Sequence, residues 1–287
     1  MKIAHFTAGT IGAAHFIHAY AIRRALGRAG FTGVYRLFAP TWTYPFVMGH
    51  DWYERIDVIP ELQLDSERAA TTTLSETLVE YQPDLIVAEL FWAPLHHIRH
   101  LFDCEVWLLL RKCIDQWFVG PPQARYDPAR WDRIIAMEPI EHPSITHQID
   151  PVVCANPDEC RPETALREHL AVPDDKTLAV VAHTGPTEEQ EALLAVGEED
   201  VHVVHFDLND PNALFPLAEW LPGADVIMTG AGYNAYWESK WLGFHDRCFF
   251  TAFPRPIDDQ AWRARECADY WPNENGADTL ARWIVNT

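Results

Sequence analysis

The residues that could do chemistry in this chain are concentrated in one stretch, 229–260, which reads TGAGYNAYWESKWLGFHDRCFFTAFPRPIDDQ. Its glycines precede a predicted helix that begins near Asn234, and an acid, Glu238, follows about one turn later. A glycine turn that leads into a helix presents free backbone N–H groups and the positive end of the helix dipole, which suit a phosphate. Together with the late pair Asp259 and Gln260, this order of groups indicates a site for a phosphorylated sugar.

A second candidate group is a histidine near the N-terminus. His15 follows the turn TAGTIG, which contains Gly9 and Gly12, and it falls in the first turn of the next predicted helix. Such a histidine faces the mouth of a sheet and could remove a proton from a hydroxyl group. Glu89 ends the strand LIVAEL at the same mouth, so its carboxylate could orient His15 and stabilise its protonated form. The spacing alone also allows a solvated histidine and an acid paired elsewhere.

Two other kinds of site are less well supported. His96 and His100 have i, i+4 spacing in HHIRH, but no acid completes a His-Glu-x-x-His pattern, so we expect a polar helix face and no metal. The turn AGTIGAAH is not Gly-x-Gly-x-x-Gly, and the next strand ends in LFAP without an acid for a ribose. The pattern therefore disfavours a nicotinamide dehydrogenase, and we expect no cofactor.

The elements that must position these residues alternate regularly along the chain. Apolar segments of strand length alternate with amphipathic segments of helix length, which is typical of an α/β fold with a parallel sheet covered on both faces. The predicted strands are 2–7, 33–40, 83–91, 104–111, 132–138, 177–183, 200–206, 224–230 and 247–253. The predicted helices are 15–30, 66–82, 163–170, 187–197, 234–243, 258–269 and 276–285.

The alternation is interrupted once, by the Pro-rich and acidic segment 154–176. We place a domain boundary there and predict two doubly wound domains, 1–154 and 155–287, with the last helix packing back on the first domain. Each domain has a glycine turn after its first strand, and the turn HTGP of the second contains Gly185. A hydrophobic content of 48% over 287 residues is enough for a sizeable core.

The composition excludes several classes of partner. A formal net charge of −20 at pH 7 argues against nucleic acid and anionic lipid. The longest apolar runs are shorter than the roughly 18 residues of a membrane-spanning helix. The six cysteines are scattered and the N-terminal apolar run is too short for a signal peptide, so we expect a cytoplasmic protein with reduced thiols.

The stretch 229–260 resembles the signature box of the UDP-glycosyltransferases. GYNAYWE is similar to the Gly-Trp-Asn-Ser-x-x-Glu of that box, and DDQAWRA is similar to its Asp/Glu-Gln end. TIGAAHFIHAYAIRRAL resembles the glycine turn and catalytic histidine of the same superfamily, and VAELF resembles the strand whose acid orients that histidine. The bacterial peptidoglycan N-acetylglucosaminyltransferase shares this plan. The resemblance implies the GT-B fold, in which two Rossmann-like domains face a cleft.

The resemblance also implies roles for these residues. The implied donor-binding residues are Gly185, Gly230, Gly232, Asn234, Glu238, Asp259 and Gln260. Of these, Asn234 at the helix start would help to hold the α-phosphate, Glu238 the ribose, and the Asp-Gln pair the sugar hydroxyls. His15, oriented by Glu89, would be the general base that deprotonates a hydroxyl acceptor as it attacks the anomeric carbon of a nucleotide-diphosphate sugar. Fixed donors, rather than a metal, would stabilise the leaving diphosphate.

The chain departs from the box at three positions. Gly230 replaces its histidine, Ala235 its serine and His245 the proline of its Gly-x-Pro. A non-catalytic nucleotide-sugar-binding protein is consistent with the missing histidine and serine, and an epimerase on the same fold is a further alternative. The acceptor, a small molecule or a glycan, and the base and sugar of the donor are left open.

Overall fold

The computed structural model describes residues 1–8, 13–40, 44–56, 72–119, 125–194, 200–207, 210 and 212–287. The predicted glycine turn at Gly9 and Gly12 lies outside the described residues, as does the start of the predicted helix 66–82.

The first sheet has seven parallel strands in the order β3-β2-β1-β4-β5-β6-β7. These strands are β1 (Lys2–Phe6), β2 (Val34–Ala39), β3 (Tyr53–Arg55), β4 (Leu85–Glu89), β5 (Glu105–Leu110), β6 (Arg133–Ala136) and β7 (His147–Gln148). The central strand β4 is buried along its whole length, because the helices that connect parallel strands cover both faces of the sheet.

Four helices accompany the first sheet within the described ranges. They are α1 (Ala14–Arg28), α2 (Pro45–Met48), α3 (Thr73–Tyr81) and α4 (Trp92–Ile98). The apolar side of α1 lies against the sheet through buried residues that include Phe16, Ile22 and Leu26. Helix α3 begins at a Thr72 side chain that accepts from Ser75 N, which replaces one of the missing backbone partners of a helix start.

The second sheet has four parallel strands in the order β11-β10-β8-β9. The strands are β8 (Thr177–Val181), β9 (Val201–His205), β10 (Val226–Gly230) and β11 (Cys248–Thr251). The α-helices of this half are α5 (Glu163–His169), α6 (Thr187–Leu194), α7 (Tyr233–Trp241), α8 (Gln260–Glu266) and α9 (Gly276–Val285). The two separate parallel sheets confirm the predicted α/β fold class with two Rossmann-like halves.

Short 3-10 helices complete the described secondary structure. They are Arg99–Leu101, Asp115–Phe118, Pro128–Arg130, Pro157–Glu159, Leu217–Glu219, Leu221–Gly223 and His245–Arg247. In the described ranges, none of the helices has the length and apolar character that crossing a bilayer requires.

The last helix, α9, packs against α1 of the first half. Its start is fixed by Asn275, whose Oδ1 accepts from Ala277 N at 2.9 Å and whose Nδ2 donates to Val153 O at 3.0 Å. Gly276 lies so close to the chain that a Cβ there would come within 1.8 Å of Asp150 O. The linker and the end of the chain therefore form one packed unit, while the exact boundary at 154/155 stays a prediction.

Candidate functional site

The predicted pair His15 and Glu89 is in direct contact. His15 lies in the first turn of α1, Glu89 is the last residue of β4, and His15 Nδ1 lies 2.8 Å from Glu89 Oε1. His15 is 5% exposed and Glu89 is fully buried. Because an ionised carboxylate only accepts hydrogen bonds, Nδ1 carries the proton and Nε2 presents its lone pair. This arrangement leaves Nε2 as the ring atom that can accept a proton.

The surroundings of this pair set the charge of each partner. Burial lowers the pKa of His15, and the Arg111 and His18 charges act in the same direction, while Glu89 partly offsets them. Burial alone would raise the pKa of Glu89, but His18 and His15 outweigh that effect and hold it well below its usual value. At neutral pH the pair is therefore a neutral imidazole beside a carboxylate, which is the state a general base requires.

A histidine that the sequence interpretation missed shares the same carboxylate. His18 Nδ1 lies 2.6 Å from Glu89 Oε1, and His18 Nε2 lies 2.5 Å from Asn234 Oδ1. An oxygen therefore faces each nitrogen of the His18 ring, and the ring joins Glu89 to Asn234. The i, i+3 spacing of His15 and His18 on one helix was the signal that could have revealed it.

A third histidine lies on the far side of Glu89. His5, on β1, has its Nε2 at 3.5 Å from Glu89 Oε2 and its Nδ1 at 2.6 Å from Tyr35 Oη. Both the His5 Nε2 and the Glu89 Oε2 atoms are buried without a hydrogen-bond partner. The Glu89 carboxylate is thus surrounded by imidazole rings from β1 and α1.

The predicted phosphate-binding helix start is α7, whose N-cap is Gly232. Glycine offers no side chain, and no side-chain hydrogen bond caps this helix, so its first N–H groups are left for other partners. Asn234 contacts the first half of the chain, because its Oδ1 faces His18 and its Nδ2 donates to Ala14 O at 3.4 Å. The predicted phosphate ligand therefore joins α7 to α1.

Glu238, the predicted ribose ligand, is 8% exposed and contacts Cys154, at the end of the predicted first domain. Burial raises the pKa of Glu238 to about 7, although hydrogen bonds from the Cys154 side chain and backbone favour the charged form. A large part of this residue is therefore protonated at neutral pH.

The predicted sugar-binding pair, Asp259 and Gln260, has local structural partners. Asp259 caps α8 by accepting from Trp262 N at 2.9 Å. Gln260 is buried, and its Oε1 accepts from Phe253 N at 3.0 Å. Gln260 also lies beside the start of α7, because a Cβ at Gly232 would come within 3.8 Å of its Nε2. Gln260 thus borders the helix start that is predicted to bind phosphate.

The turn at Gly185 is filled by a charged cluster that sequence reasoning missed. His183 Nε2 lies 2.7 Å from Glu189 Oε2, and Arg255 donates to both oxygens of Glu189 at 2.6 and 2.5 Å. A Cβ at Gly185 would come within 2.2 Å of His183 Nε2, and one at Gly230 within 2.9 Å of His183 Cε1. Glycine at both positions accommodates the His183 ring, whose pKa is lowered mainly by burial.

A buried ion-pair network links the two halves below the site. Glu138, which follows β6, accepts from Arg263 Nε at 2.8 Å, from Trp237 Nε1 at 2.9 Å and from Lys112 N at 2.5 Å. Arg263 also donates to Asp258 at 2.7 Å. A buried charge without a partner would cost free energy, and here each charge is paired. Because Trp237 lies on α7 and Arg263 on α8, their bonds to Glu138 fix the positions of both helices against the first sheet.

The segment after β5 brings a further cation to the site. Arg111 directly follows β5 and is 8% exposed, and its guanidinium carbon lies 5.9 Å from the centre of the Tyr233 ring. The next residues contact the second half through their backbone. Ile114 N donates to Ile257 O at 3.1 Å, and Cys113 forms an isolated antiparallel β-bridge with Asp258. Spacing gave no signal for this residue, because a single arginine at a strand end is ordinary.

The histidines considered for a metal lie elsewhere. His96 is on α4 and His100 is in the following 3-10 turn, and burial lowers the pKa of His96 to about 4. Among the described residues, the group with side chains close enough to hold an ion is His15, His18 and Glu89. Hydrogen bonds already join these three side chains, and the expectation of no metal stays a prediction.

Comparison with known proteins identifies the fold. No family model and no curated protein matches the chain. The spinosyn forosaminyltransferase SpnP matches with a TM-score of 0.61 and 15% identity over 99% of this chain and 90% of SpnP. MurG of Acinetobacter baumannii matches with a TM-score of 0.55 and 13% identity over 99% and 90% of the two chains. UGT2 of Phytolacca americana, solved with UDP-2-fluoro-glucose and pterostilbene, matches with a TM-score of 0.56 and 14% identity over 99% of this chain and 89% of UGT2.

These similarities extend over both sheets and show that the chain has the GT-B fold, as the sequence resemblance implied. A putative UDP-N-acetylglucosamine 2-epimerase from Listeria monocytogenes is also similar, with a TM-score of 0.53 and 11% identity over 99% of this chain and 87% of that one. The fold is therefore shared by glycosyltransferases and by at least one protein described as an epimerase.

Proposed function

We propose that this protein transfers a sugar from a UDP-sugar to a hydroxyl group of a small-molecule or glycan acceptor. The observation that carries the proposal is the buried hydrogen bond of 2.8 Å between His15 Nδ1 and Glu89 Oε1. The GT-B fold supports it, and UGT2, with its bound UDP-2-fluoro-glucose, supports the class of donor.

In this mechanism His15 is the general base. Its Nε2 takes the proton of the acceptor hydroxyl while the hydroxyl oxygen forms a bond to the anomeric carbon of the sugar. The bond from that carbon to the diphosphate oxygen breaks, and the electron pair leaves with the diphosphate. Glu89 stabilises the imidazolium that forms on His15, as an acid does in a catalytic triad. Proton removal by a positioned base contributes roughly 10²- to 10⁴-fold to a rate.

The donor binds at the start of α7 in this proposal. The free N–H groups after Gly232 and the positive end of the helix dipole hold the diphosphate. Asn234 Nδ2, which donates to Ala14 O in the free protein, donates to the α-phosphate instead, while Asn234 Oδ1 keeps its contact with His18. Glu238 exchanges its contact with Cys154 for the ribose hydroxyls. Gln260 lies next to this helix start, which supports a role for it at the sugar.

The experiment is an incubation of the purified protein with a panel of nucleotide-diphosphate sugars, with and without hydroxyl acceptors. We expect release of the free nucleotide diphosphate from one donor class, faster when an acceptor is present. A thermal-shift series with the same panel identifies the donor independently, because a ligand that binds only the folded state raises the unfolding midpoint. Absence of turnover for every donor, with no stabilisation by any of them, would exclude the proposal.

A non-catalytic nucleotide-sugar-binding protein is the second candidate. It is favoured by the Glu189 carboxylate, which fills the Gly185 turn, and by the departures at Gly230 and Ala235. Stabilisation by a donor without release of nucleotide would support it. An epimerase, favoured by the similarity to the Listeria monocytogenes protein, would instead yield a sugar of altered stereochemistry.

A further inference from the structure

Arg111 is a buried cation for which the described part of the chain provides no counter-ion at hydrogen-bond distance. It is 8% exposed, and its Nε atom is fully buried without a hydrogen-bond partner. The other deeply buried arginine, Arg263, donates hydrogen bonds to Glu138 and Asp258. A buried N–H donor without an acceptor costs free energy, and a bound ligand is one way to supply that acceptor.

The position of Arg111 places it between the base and the helix start. It follows β5, the neighbour of β4, and β4 ends in Glu89. Its guanidinium carbon lies 5.9 Å from the ring centre of Tyr233, the first residue of α7. The Arg111 charge also acts on both His15 and Asp258. The guanidinium therefore lies near both His15 and the start of α7, on the side of the first sheet.

The start of α7 carries no positively charged side chain for an anion. The helix has nine residues, Gly232 is its N-cap, and no side chain caps its first N–H groups. Gly230 and Ala235 offer no side-chain donor at the flanking positions. Backbone N–H groups hold a phosphate only through partial charges, so a full positive charge from the other half of the chain would complete the site.

We propose that Arg111 binds the diphosphate of the nucleotide-sugar donor and stabilises the negative charge of the leaving group. The inference rests on the proposed function. As the bond between the anomeric carbon and the β-phosphate oxygen breaks, the electron pair remains on that oxygen, beside the guanidinium. The acceptor proton goes to His15, so base and cation come from the same half of the chain. A bound diphosphate would supply the acceptor that the Arg111 Nε lacks.

The test is a calorimetric titration of the full chain with three probes: UDP, inorganic pyrophosphate and uridine. The variants are Arg111→Gln and Arg111→Lys, with Arg265→Gln, an exposed arginine on α8, as the matched control. A hydrogen-bonded charge pair of this kind changes affinity by roughly 10- to 100-fold. We expect Arg111→Gln to weaken UDP and pyrophosphate binding by at least about 10-fold, Arg111→Lys to weaken it less, and uridine binding to be unchanged.

An unfolding measurement separates this role from a structural one. If Arg111 serves the ligand, removing its buried charge leaves the thermal midpoint of the free protein the same or higher. A lower midpoint together with equal losses for UDP and uridine would mean that Arg111 only supports the fold.

Two further outcomes bear on the inference and on the proposed function separately. If Arg111→Gln binds UDP as tightly as the wild type does, the inference is overturned and the proposed function stands. The same conclusion holds if the variant binds UDP normally and is impaired only in its use of the acceptor. A wild-type protein that binds none of the probes overturns the proposed function, and the inference fails with it.

Discussion

His18 Nε2 lies 2.5 Å from Asn234 Oδ1, so a histidine of the first half of the chain contacts the first turn of the helix predicted to bind phosphate. The other nitrogen of the same ring contacts Glu89, which also holds His15. One imidazole therefore connects the proposed general base with the proposed donor site. A movement of α7 on donor binding would therefore shift the His18 ring and change its hydrogen bond to Glu89.

His18→Phe tests this connection. The phenyl ring keeps the aromatic volume but removes the hydrogen bond to Asn234 Oδ1 and leaves Glu89 Oε1 with His15 as its remaining partner, so we expect a loss of about 1–3 kcal/mol in the free energy of unfolding. Denaturant unfolding measures it, with the exposed His202→Phe on β9 as control. An unchanged stability would show that the bridge is absent in solution.

The pH dependence of turnover tests the charge environment of His15. Because burial lowers the pKa of His15, kcat/KM should fall only below the ordinary histidine value of about 6.5. Glu89 raises this pKa, so in Glu89→Gln the fall should move to lower pH, with a reduced plateau. Arg111 lowers it, so in Arg111→Gln the fall should move to higher pH. Shifts in the same direction for both variants would contradict this assignment.

Glu238→Gln should stabilise the free protein at neutral and alkaline pH. Burial raises the folded-state pKa of Glu238 to about 7. Its contribution to the free energy of unfolding is therefore fully present below the unfolded-state pKa and is lost as the pH rises through about 7. The cost to the wild type above pH 7 is about 3 kcal/mol. Unfolding at pH 4 and pH 8 measures it: the variant should match the wild type at pH 4 and exceed it at pH 8. Reduced affinity for UDP in the same variant would support the ribose contact.

Arg263→Met should be strongly destabilising. The substitution leaves Glu138 buried and charged without its ion-pair partner, which costs about 3–5 kcal/mol. Glu138→Gln in the Arg263→Met background should recover part of the loss, because it removes the uncompensated charge. A double-mutant cycle from denaturant unfolding measures the coupling, and additive effects would show that the pair does not act as a unit.

The sequence predicted much of the fold because long apolar runs and helical periodicity mark buried parallel strands and their helices. Strands such as β4 and β10 therefore lie within their predicted ranges. The edge strands Tyr53–Arg55 and His147–Gln148 were missed, since three and two residues are too few to show a period. The fold class followed from alternation, whereas the edges depend on tertiary contacts.

The candidate site was predictable where topology alone brings residues together. His15 and Glu89 meet because strand ends and helix starts share one edge of a parallel sheet. The bridge from His18 to Asn234 depends on how the two halves pack, which spacing does not encode. The resemblance implied that Gly185 binds the donor, and its sequence showed no sign that side chains two and four residues away fill this turn.

The most direct test of the proposed function is a paired measurement on His15→Ala, with turnover of the UDP-sugar and affinity for UDP determined on the same folded preparation. His15 contacts Glu89, while the proposed nucleotide contacts are the start of α7, Glu238 and Arg111, so removal of the base should affect chemistry and spare binding. We expect turnover to fall by roughly 10²- to 10⁴-fold with UDP affinity nearly unchanged, and the exposed His100→Ala control to behave like the wild type. A folded His15→Ala protein that turns over at the wild-type rate would contradict the mechanism.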